Sequence, residues 1–231
     1  MSNCVLCQAI FQPELNFEFI VSFRKICLPV TCSRCMQSFT PLLKKPHCPQ
    51  CGRIQNKTHL CIDCQKWRNL YGKDVVVNSA LFQYDNAMHD YFHDFKKQGN
   101  YRLRLVFESV ISDYLSKNKF DAYLFVPTAK NHLSERRFDP VRALYGDLIK
   151  PTVTIGNRQG VEHQSLKNRY ERLNSPQFFY LSKGVVKKLK KSTSILIFDD
   201  IYTTGATIYH MREAIRAQGI TSEIKSLTLA R

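Results

Sequence analysis

Four Cys-x-x-Cys pairs near the start of the sequence constrain this chain more than any other feature. The pairs are Cys4 with Cys7, Cys32 with Cys35, Cys48 with Cys51, and Cys61 with Cys64, and Cys27 is left over. No cysteine follows Cys64. A segment this short, which contains only brief apolar runs, lacks the area to bury a conventional core, and small modules of this kind are commonly stabilised by a metal.

The spacing of the pairs predicts two structural zinc sites. Two residues between thiolates let one turn present both sulfurs about 2.3 Å from a single Zn²⁺. The paired thiolates suffice for two tetrahedral sites, one of Cys48, Cys51, Cys61 and Cys64 and the other of Cys4, Cys7, Cys32 and Cys35. Full thiolate ligation leaves no position for a catalytic water, so the expected role is structural. The alternatives are redox pairs, an iron–sulfur cluster, reduced core cysteines, or ligation by His47 or His59.

The sequence also predicts where the protein works. It contains no apolar run long enough to span a membrane, and its first residues lack a basic segment followed by an apolar stretch. We therefore expect a cytoplasmic protein without a membrane span. Disulfides are rare in a reducing compartment, which favours metal ligation for the paired cysteines.

The pattern changes from about Asp74 onward. Short apolar runs now alternate with amphipathic stretches, which predicts an α/β fold whose mostly parallel sheet has helices on both faces. The predicted strands are 75–84, 122–126, 152–155, 194–198 and 223–230, and the predicted helices are 88–97, 103–115, 140–149 and 207–218. Residues 157–176 are polar and basic, and they predict a long loop or a loosely held helix. The expected organisation is a zinc-ribbon module over 1–70 and a second domain over 71–231.

The most informative stretch runs from Ile195 to Thr207. An apolar strand leads into Asp199 and Asp200, and a small, hydroxyl-rich loop then enters a helix; the loop residues are Thr203, Thr204, Gly205, Ala206 and Thr207. Backbone N–H groups at such a helix start favour a phosphate, and glycine lets the main chain approach it closely. The carboxylates would repel that phosphate unless they bind another part of the ligand, such as a ribose diol, directly or through Mg²⁺. The pattern predicts a ribose 5-phosphate ligand, and the alternative is an ordinary strand-to-helix turn.

This stretch resembles the phosphoribosyl pyrophosphate (PRPP) motif of type I phosphoribosyltransferases. In that motif the acidic pair holds the ribose hydroxyls and the threonine-rich loop holds the 5-phosphate. The chain as a whole is similar to the late-competence ComF (ComFC) family. The residues that carry this likeness are the cysteine pairs, Leu81-Phe-Gln-Tyr84, Phe95-Lys96, Val126-Pro127, Glu135-Arg136-Arg137-Phe138, Arg158, Gln164, Glu171-Arg172, Asn174 and Leu227-Thr-Leu-Ala-Arg231.

The resemblance implies a fold and a function. Bacterial members carry an N-terminal zinc module on a type I phosphoribosyltransferase-like domain and take part in uptake of single-stranded DNA during natural transformation. It further implies association with a ComFA-type helicase and cytoplasmic recombination factors, and binding of PRPP with Mg²⁺. The turn from Pro127 to Lys130 is implied to approach the pyrophosphate.

One segment departs from the family pattern. Relatives usually have a proline and two basic residues after the Val-Pro turn, and then Arg-Gly-Phe-Asn-Gln. This chain has Lys130, Asn131 and His132 there, followed by Arg136-Arg137-Phe138-Asp139-Pro140. The loss of glycine at Arg137 and of Asn-Gln at Asp139-Pro140 leaves pyrophosphate handling and catalytic activity open, whereas the ribose 5-phosphate half of the motif is intact.

The charge of the chain favours a polyanionic partner. Lys and Arg number 34 against 19 Asp and Glu, a formal net charge of +15. Basic candidates expected near the ligand-binding edge of the sheet are Lys96, Lys97, Arg136, Arg137, Lys167, Arg169 and Arg172, interleaved with Tyr101, Phe138, Tyr170 and Tyr202. Phosphate contacts combined with ring stacking are typical of single-stranded DNA binding. Solvated basic faces and simple packing of the rings are the alternative, and we favour it for 187–191.

Three functional hypotheses follow. The leading one is a DNA-uptake factor that binds single-stranded DNA and PRPP or a related nucleotide ligand. The second is an active phosphoribosyltransferase of nucleotide salvage or modification. The third is a scaffold whose two parts serve only protein contacts, and it predicts no binding of PRPP.

Overall fold

A parallel sheet covered by helices forms the larger part of the molecule. The structure is a computed structural model, and it describes residues 1–13, 28–42, 46–128, 133–134, 136–152, 156–157 and 179–231. Its strands are β1 (Ser2–Asn3), β2 (Ile10–Phe11), β3 (Val77–Phe82), β4 (Ala122–Phe125), β5 (Gly156–Asn157), β6 (Phe179–Tyr180), β7 (Ser194–Ile201) and β8 (Glu223–Ala230). Its helices are α1 (Ser33–Gln37), α2 (Ile62–Tyr71), α3 (Asn86–Lys96), α4 (Glu108–Lys117), α5 (Pro140–Tyr145), α6 (Lys183–Leu189) and α7 (Ala206–Arg216).

The main sheet has four strands in the order β3-β8-β7-β4, and all of its pairs are parallel. Strand β7 is buried on both faces. Its Ile195 and Ile197 pack into one apolar cluster, while Leu196 and Phe198 pack into the other. Helices α6 and α7 cover the first face together with the second cysteine cluster, and α3, α4 and α5 cover the second face. This arrangement confirms the predicted α/β class.

Strand β7 extends three residues beyond the predicted end at Phe198. Asp199 and Ile201 continue the ladder by pairing with Thr228 and Ala230 of β8. The neighbouring strand therefore keeps supplying backbone partners where the apolar run has already ended. As a result, the two carboxylates lie within the carboxyl end of the strand.

Two predicted helices are shorter than expected. The predicted helix 103–115 is divided into a 3₁₀ turn, Tyr101–Leu105, and α4. The carbonyl of Leu103 accepts hydrogen bonds from the Val106 N–H (3.0 Å) and from the Tyr91 hydroxyl (3.1 Å), which stabilises the tight turn. The predicted helix 140–149 ends at Tyr145, where Gly146 follows and disfavours continuation.

Part of the prediction lies outside the described residues. That applies to 153–155 of the predicted third strand and to 158–176 of the predicted loop. Strands β5 and β6 pair antiparallel on either side of that gap, a pairing that the sequence pattern did not predict.

The cysteine-rich part covers the outer edge of strand β3. The Asn78 N–H donates to the Gln50 carbonyl and the Gln83 N–H to the Thr40 carbonyl, both at 2.8 Å. Gln50 also donates from Nε2 to the hydroxyl of Tyr209 on α7 at 2.9 Å. The sheet edge and the second cysteine cluster are thereby joined directly. Among the described helices, none has the length and apolar character needed to cross a membrane.

Candidate functional site

The paired cysteines form two compact clusters. Cluster 1 consists of Cys4, Cys7, Cys32 and Cys35, and cluster 2 of Cys48, Cys51, Cys61 and Cys64. Within each cluster the four sulfurs lie within 4.8 Å of one another. The Sγ–Sγ distance is 3.8 Å between Cys7 and Cys32 and 3.6 Å between Cys51 and Cys61. These distances match the edge of about 3.8 Å of a tetrahedron with metal–sulfur bonds of about 2.3 Å.

The surroundings of the sulfurs also suit a thiolate-bound metal. A backbone N–H donates to a sulfur in each cluster at 3.4 Å, from Cys32 to Cys4 and from Cys61 to Cys48. Hydrogen bonds from the Cys51 and Cys64 thiols hold the pKa of Cys48 well below its usual value, while the Cys48 thiolate raises the pKa of Cys51 to about 11. A bound dication would stabilise the thiolate form of every cysteine in the cluster and so lower the pKa of each. Both donor sets therefore fit Zn²⁺.

The two clusters differ in burial. All four cysteines of cluster 2 are buried, whereas cluster 1 combines a buried Cys4 with an exposed Cys7 and two partly buried cysteines. In the part of the chain that the structure describes, neither His47 nor His59 belongs to a cluster. Cys27 lies outside that part.

The acidic pair of the predicted PRPP motif contacts a lysine of α3, the helix that packs on the second face of the sheet. Lys96 Nζ on α3 lies 2.6 Å from Asp200 Oδ2, and their side chains are 15% and 17% exposed. The Asp200 N–H donates to Asp199 Oδ1 at 2.9 Å, and the Tyr145 hydroxyl donates to the Asp199 carbonyl at 3.0 Å. Burial, together with the charge of Asp200, raises the pKa of Asp199 well above its usual value. The strand end therefore places a carboxyl group of raised pKa beside a lysine-paired carboxylate.

The threonine-rich loop turns sharply at Gly205, directly before α7. Gly205 has a φ of +86°, and a Cβ there would collide with the Tyr202 hydroxyl. Thr203 is exposed, while the buried Thr204 accepts the Ala206 N–H at 3.3 Å through Oγ1. Ala206 is buried and Thr207 partly buried in the first turn of the helix. This left-handed turn followed by a helix start places backbone N–H groups where an anion can approach.

Tyr202 does not offer the stacking surface that the sequence pattern suggested. Its ring is 2% exposed and is buried with the apolar residues between the sheet and cluster 2. The expectation that it stacks on DNA is therefore wrong. The ring instead supports the loop from beneath.

The basic candidates separate into two environments. Lys97, Arg136 and Arg137 line a cavity of about 640 Å³ together with Gln98, Gly99, Tyr101 and Phe138. Lys96 belongs instead to the acidic pair. Lys130, Lys167, Arg169, Tyr170 and Arg172 lie outside the described residues.

Arg137 holds an unusual backbone conformation at this cavity. Its φ is +62°, in the left-handed region that favours glycine. This is the position at which the family resemblance implies glycine. The rings of Tyr101 and Phe138 meet beside it edge to face, with centroids 5.3 Å apart.

Sequence reasoning missed Arg231, which contacts both cluster 2 and the threonine-rich loop. Its place after the last strand gave no local signal of that role. The ring of Trp67, on α2, stacks on Tyr209 of α7 with centroids 4.1 Å apart, which joins the cysteine-rich part to the helix that follows the loop.

These features define a class of protein in which two tetracysteine clusters accompany a parallel α/β sheet with an acidic strand end. Comparison with known proteins identifies the family. The chain is 32% identical over 232 residues to the competence protein ComFC of Streptococcus pneumoniae, spanning 99% of this chain and 100% of that protein. It is 27% identical over 236 residues to ComFC of Bacillus subtilis, spanning 99% of this chain and 94% of that protein. The chain belongs to the ComFC family of competence proteins. No protein-family profile matches it.

Proposed function

We propose that this competence protein binds PRPP, or a related ribose 5-phosphate ligand, at the end of β7 and single-stranded DNA at the adjoining basic cavity. The observation that carries the first part is the acidic pair Asp199–Asp200 next to the threonine-rich loop, with Lys96 bound to Asp200. As the family resemblance implies, it works in the cytoplasm with a ComFA-type helicase and recombination factors during uptake of DNA.

The chemistry of the strand end suits such a ligand. Asp199 and Asp200 would hold the ribose hydroxyls, while the N–H groups at the start of α7 would hold the 5-phosphate. Lys96 offsets carboxylate charge that would otherwise repel an anionic ligand across a partly buried site. Mg²⁺ would neutralise the pyrophosphate, with Lys130 near it as the resemblance implies.

A calorimetric titration with Mg²⁺–PRPP tests this part. We expect wild-type protein to bind and the Asp199→Ala, Asp200→Ala double variant to lose binding. Asp113→Ala serves as the control because Asp113 pairs with the exposed Lys117 on α4 and not with the acidic pair or Lys96. Absence of binding to folded wild-type protein would contradict the proposal.

Release of pyrophosphate on addition of a nucleobase would favour the alternative of an active phosphoribosyltransferase.

The basic cavity supports the second part. In the described part of the chain, no carboxylate forms an ion pair with Lys97, Arg136 or Arg137. Tyr101 is 46% exposed at the same cavity, and Arg104 lies over its ring at 4.9 Å, so a base would contact the part of the ring that Arg104 leaves exposed. Free cations that contact phosphates, next to an exposed ring, are the combination that single strands require.

Fluorescence anisotropy with a labelled oligothymidylate tests the DNA site. We expect the affinity to fall steeply with salt and to fall further when Lys97, Arg136 and Arg137 are all replaced by alanine. The matched control removes three charges from α6 and its end, Lys187, Lys188 and Lys190, and should change the affinity little. Equal losses in both variants would indicate nonspecific attraction alone.

In cells, a deletion strain that internalises DNA normally would contradict the role in uptake.

A further inference from the structure

Two side chains connect cluster 2 with the backbone of the threonine-rich loop. Trp67, on the helix that begins directly after Cys61, donates from Nε1 to the carbonyl of Thr204 at 2.8 Å. Arg231 donates from Nη1 to the carbonyls of Thr203 (2.6 Å) and Tyr202 (3.2 Å). The carbonyls of Thr203 and Thr204, and that of Tyr202 directly before the loop, are thus held by side chains that originate outside it.

Arg231 also contacts Cys51 Sγ of cluster 2. Its Nε and Nη2 both donate to Cys51 Sγ at 3.4 Å, and Nη2 lies 4.0 Å from Asp63 Oδ2. Only 7% of its side chain is exposed. The rigid guanidinium fork therefore joins the Cys51 sulfur to the carbonyls of Tyr202 and Thr203, and the position of that sulfur contributes to the orientation of the fork.

Holding the carbonyls fixes the direction of the N–H groups. In a trans peptide unit the C=O and the following N–H point in opposite directions. The carbonyls of Tyr202, Thr203 and Thr204 face Arg231 and Trp67, so the N–H groups that follow them face away from cluster 2. In the described residues, no hydrogen bond engages the N–H of Thr204 or Gly205. These donors remain available to an anion.

We propose that Arg231 and Trp67 are positioning residues through which the metal at cluster 2 holds the threonine-rich loop in its anion-binding conformation. The metal would thus set the affinity of a site that it does not touch. Cluster 1 lacks this link, since within the described residues no hydrogen bond joins its cysteines to Arg231, to Trp67 or to the loop. The effect on ligand affinity rests on the proposed PRPP site, whereas the effect on the loop does not.

The test compares Arg231→Met, Arg231→Lys and Trp67→Phe with Arg53→Met in the metal-loaded full chain. Arg53 is the matched control because it donates to Asp63 beside the same cluster, at 2.7 Å, and does not bond to the loop. Hydrogen exchange of the amides of Tyr202, Ala206 and Tyr209, which donate to Ala230, Thr204 and Gly205, reports the loop without any ligand. Cobalt substitution reports the cluster, because hydrogen bonds to Cys51 change the thiolate-to-metal absorption bands.

We expect amide exchange in the loop to accelerate about thirty-fold in Arg231→Met and about five-fold in Trp67→Phe, for two and one lost hydrogen bonds. Arg231→Lys should fall between Arg231→Met and wild type, and Arg53→Met should match wild type. The cobalt bands should shift in Arg231→Met although the metal content is unchanged. The affinity for Mg²⁺–PRPP should fall in the same order as the exchange rates rise.

Unchanged loop exchange in Arg231→Met with full metal content would overturn the inference. Should Arg231→Met fail to fold, unchanged loop exchange in both Arg231→Lys and Trp67→Phe would overturn it as well. A wild-type protein that does not bind PRPP, with the exchange order intact, would overturn the proposed ligand and leave the coupling supported. Selective loss of the metal from cluster 2, through Cys64→Ser, should also accelerate loop exchange, whereas Cys7→Ser in cluster 1 should not.

Discussion

The Lys96 ammonium lies 2.6 Å from the Asp200 carboxylate, whereas the next residue, Lys97, lines the basic cavity. Successive residues on a helix differ in direction by about 100°, so neighbouring lysines at the end of α3 enter different surroundings. Lys96 and Lys97 therefore belong to different proposed binding sites, although they are adjacent in the chain.

The two lysines should therefore have separable effects. We expect Lys96→Met to weaken Mg²⁺–PRPP binding at least about ten-fold, because a partly buried carboxylate loses its cation. Its effect on oligothymidylate binding should be small. Lys97→Met should do the reverse and lower the salt dependence of DNA binding. Titration calorimetry and anisotropy on both variants check this, and equal effects of the two variants on either ligand would contradict the separation.

Gly205 should tolerate no side chain. We expect Gly205→Ala to abolish PRPP binding, because the positive φ disfavours alanine and the added Cβ collides with the Tyr202 hydroxyl. Gly219→Ala is the control, since Gly219 has a φ of +70° but open space around it. That control should cost about 1 kcal/mol in the free energy of unfolding and leave ligand binding intact. Similar losses of stability and affinity in both variants would show that the collision with Tyr202 is unimportant.

Asp199 should make the stability fall as the pH rises. Its folded pKa is raised above the usual 3.8, so the folded chain binds more protons than the unfolded chain between those two values. Stability therefore decreases from about the usual Asp pKa up through the folded pKa. Urea unfolding at a series of pH values should show a flatter profile for Asp199→Asn, with a gain over wild type at the highest pH.

Asp121 supplies a comparison of opposite sign. The hydroxyl and N–H of Thr193, together with Ser194, lower the pKa of Asp121 by donating to its carboxylate. Its stabilising effect is present above the usual pKa and is lost as the pH falls through the folded value. Asp121→Asn should thus be less stable than wild type near neutral pH. A pH profile of Asp199→Asn as steep as that of wild type would contradict the role given to Asp199.

Arg137 should lower the stability of the fold while it contributes to DNA binding. We expect Arg137→Gly to gain about 1 kcal/mol in the free energy of unfolding, because glycine adopts a φ of +62° without a steric cost. The same change should lower the salt slope of oligothymidylate binding by about 0.7, the value for one phosphate contact on a single strand. Arg137→Lys keeps both the charge and the backbone cost, so neither quantity should move. A stabilised variant with unchanged DNA affinity would show that Arg137 does not contact the strand.

Local patterns in the sequence predicted the fold and the parts of the site that are contiguous in the chain. The apolar runs of β7 and β8 are recognisable because a parallel sheet is buried on both faces, and each cysteine pair lies within one turn. Asp199 to Thr207 needed no tertiary information to be singled out. The two cysteine clusters likewise followed from spacing alone.

Contacts between distant segments could not be predicted in this way. Arg231 and Cys51 are 180 residues apart, and nothing near either residue indicates that they meet. The burial of Tyr202 depends on how cluster 2 packs against the sheet, so its ring was mistaken for a stacking surface. The pairing of Lys96 with Asp200 likewise requires α3 to end at the carboxyl edge of the sheet.

The covered edge of strand β3 gives the cysteine-rich part a protective role. Carbonyls of Gln50 and Thr40 occupy backbone donors that an outer strand would otherwise present to solvent. Unpaired strand edges recruit other chains and lead to aggregation. Since Gln50 lies between Cys48 and Cys51, a zinc ion bound at cluster 2 would hold this cover in place, and we expect zinc starvation to expose the edge and lower the solubility of the protein.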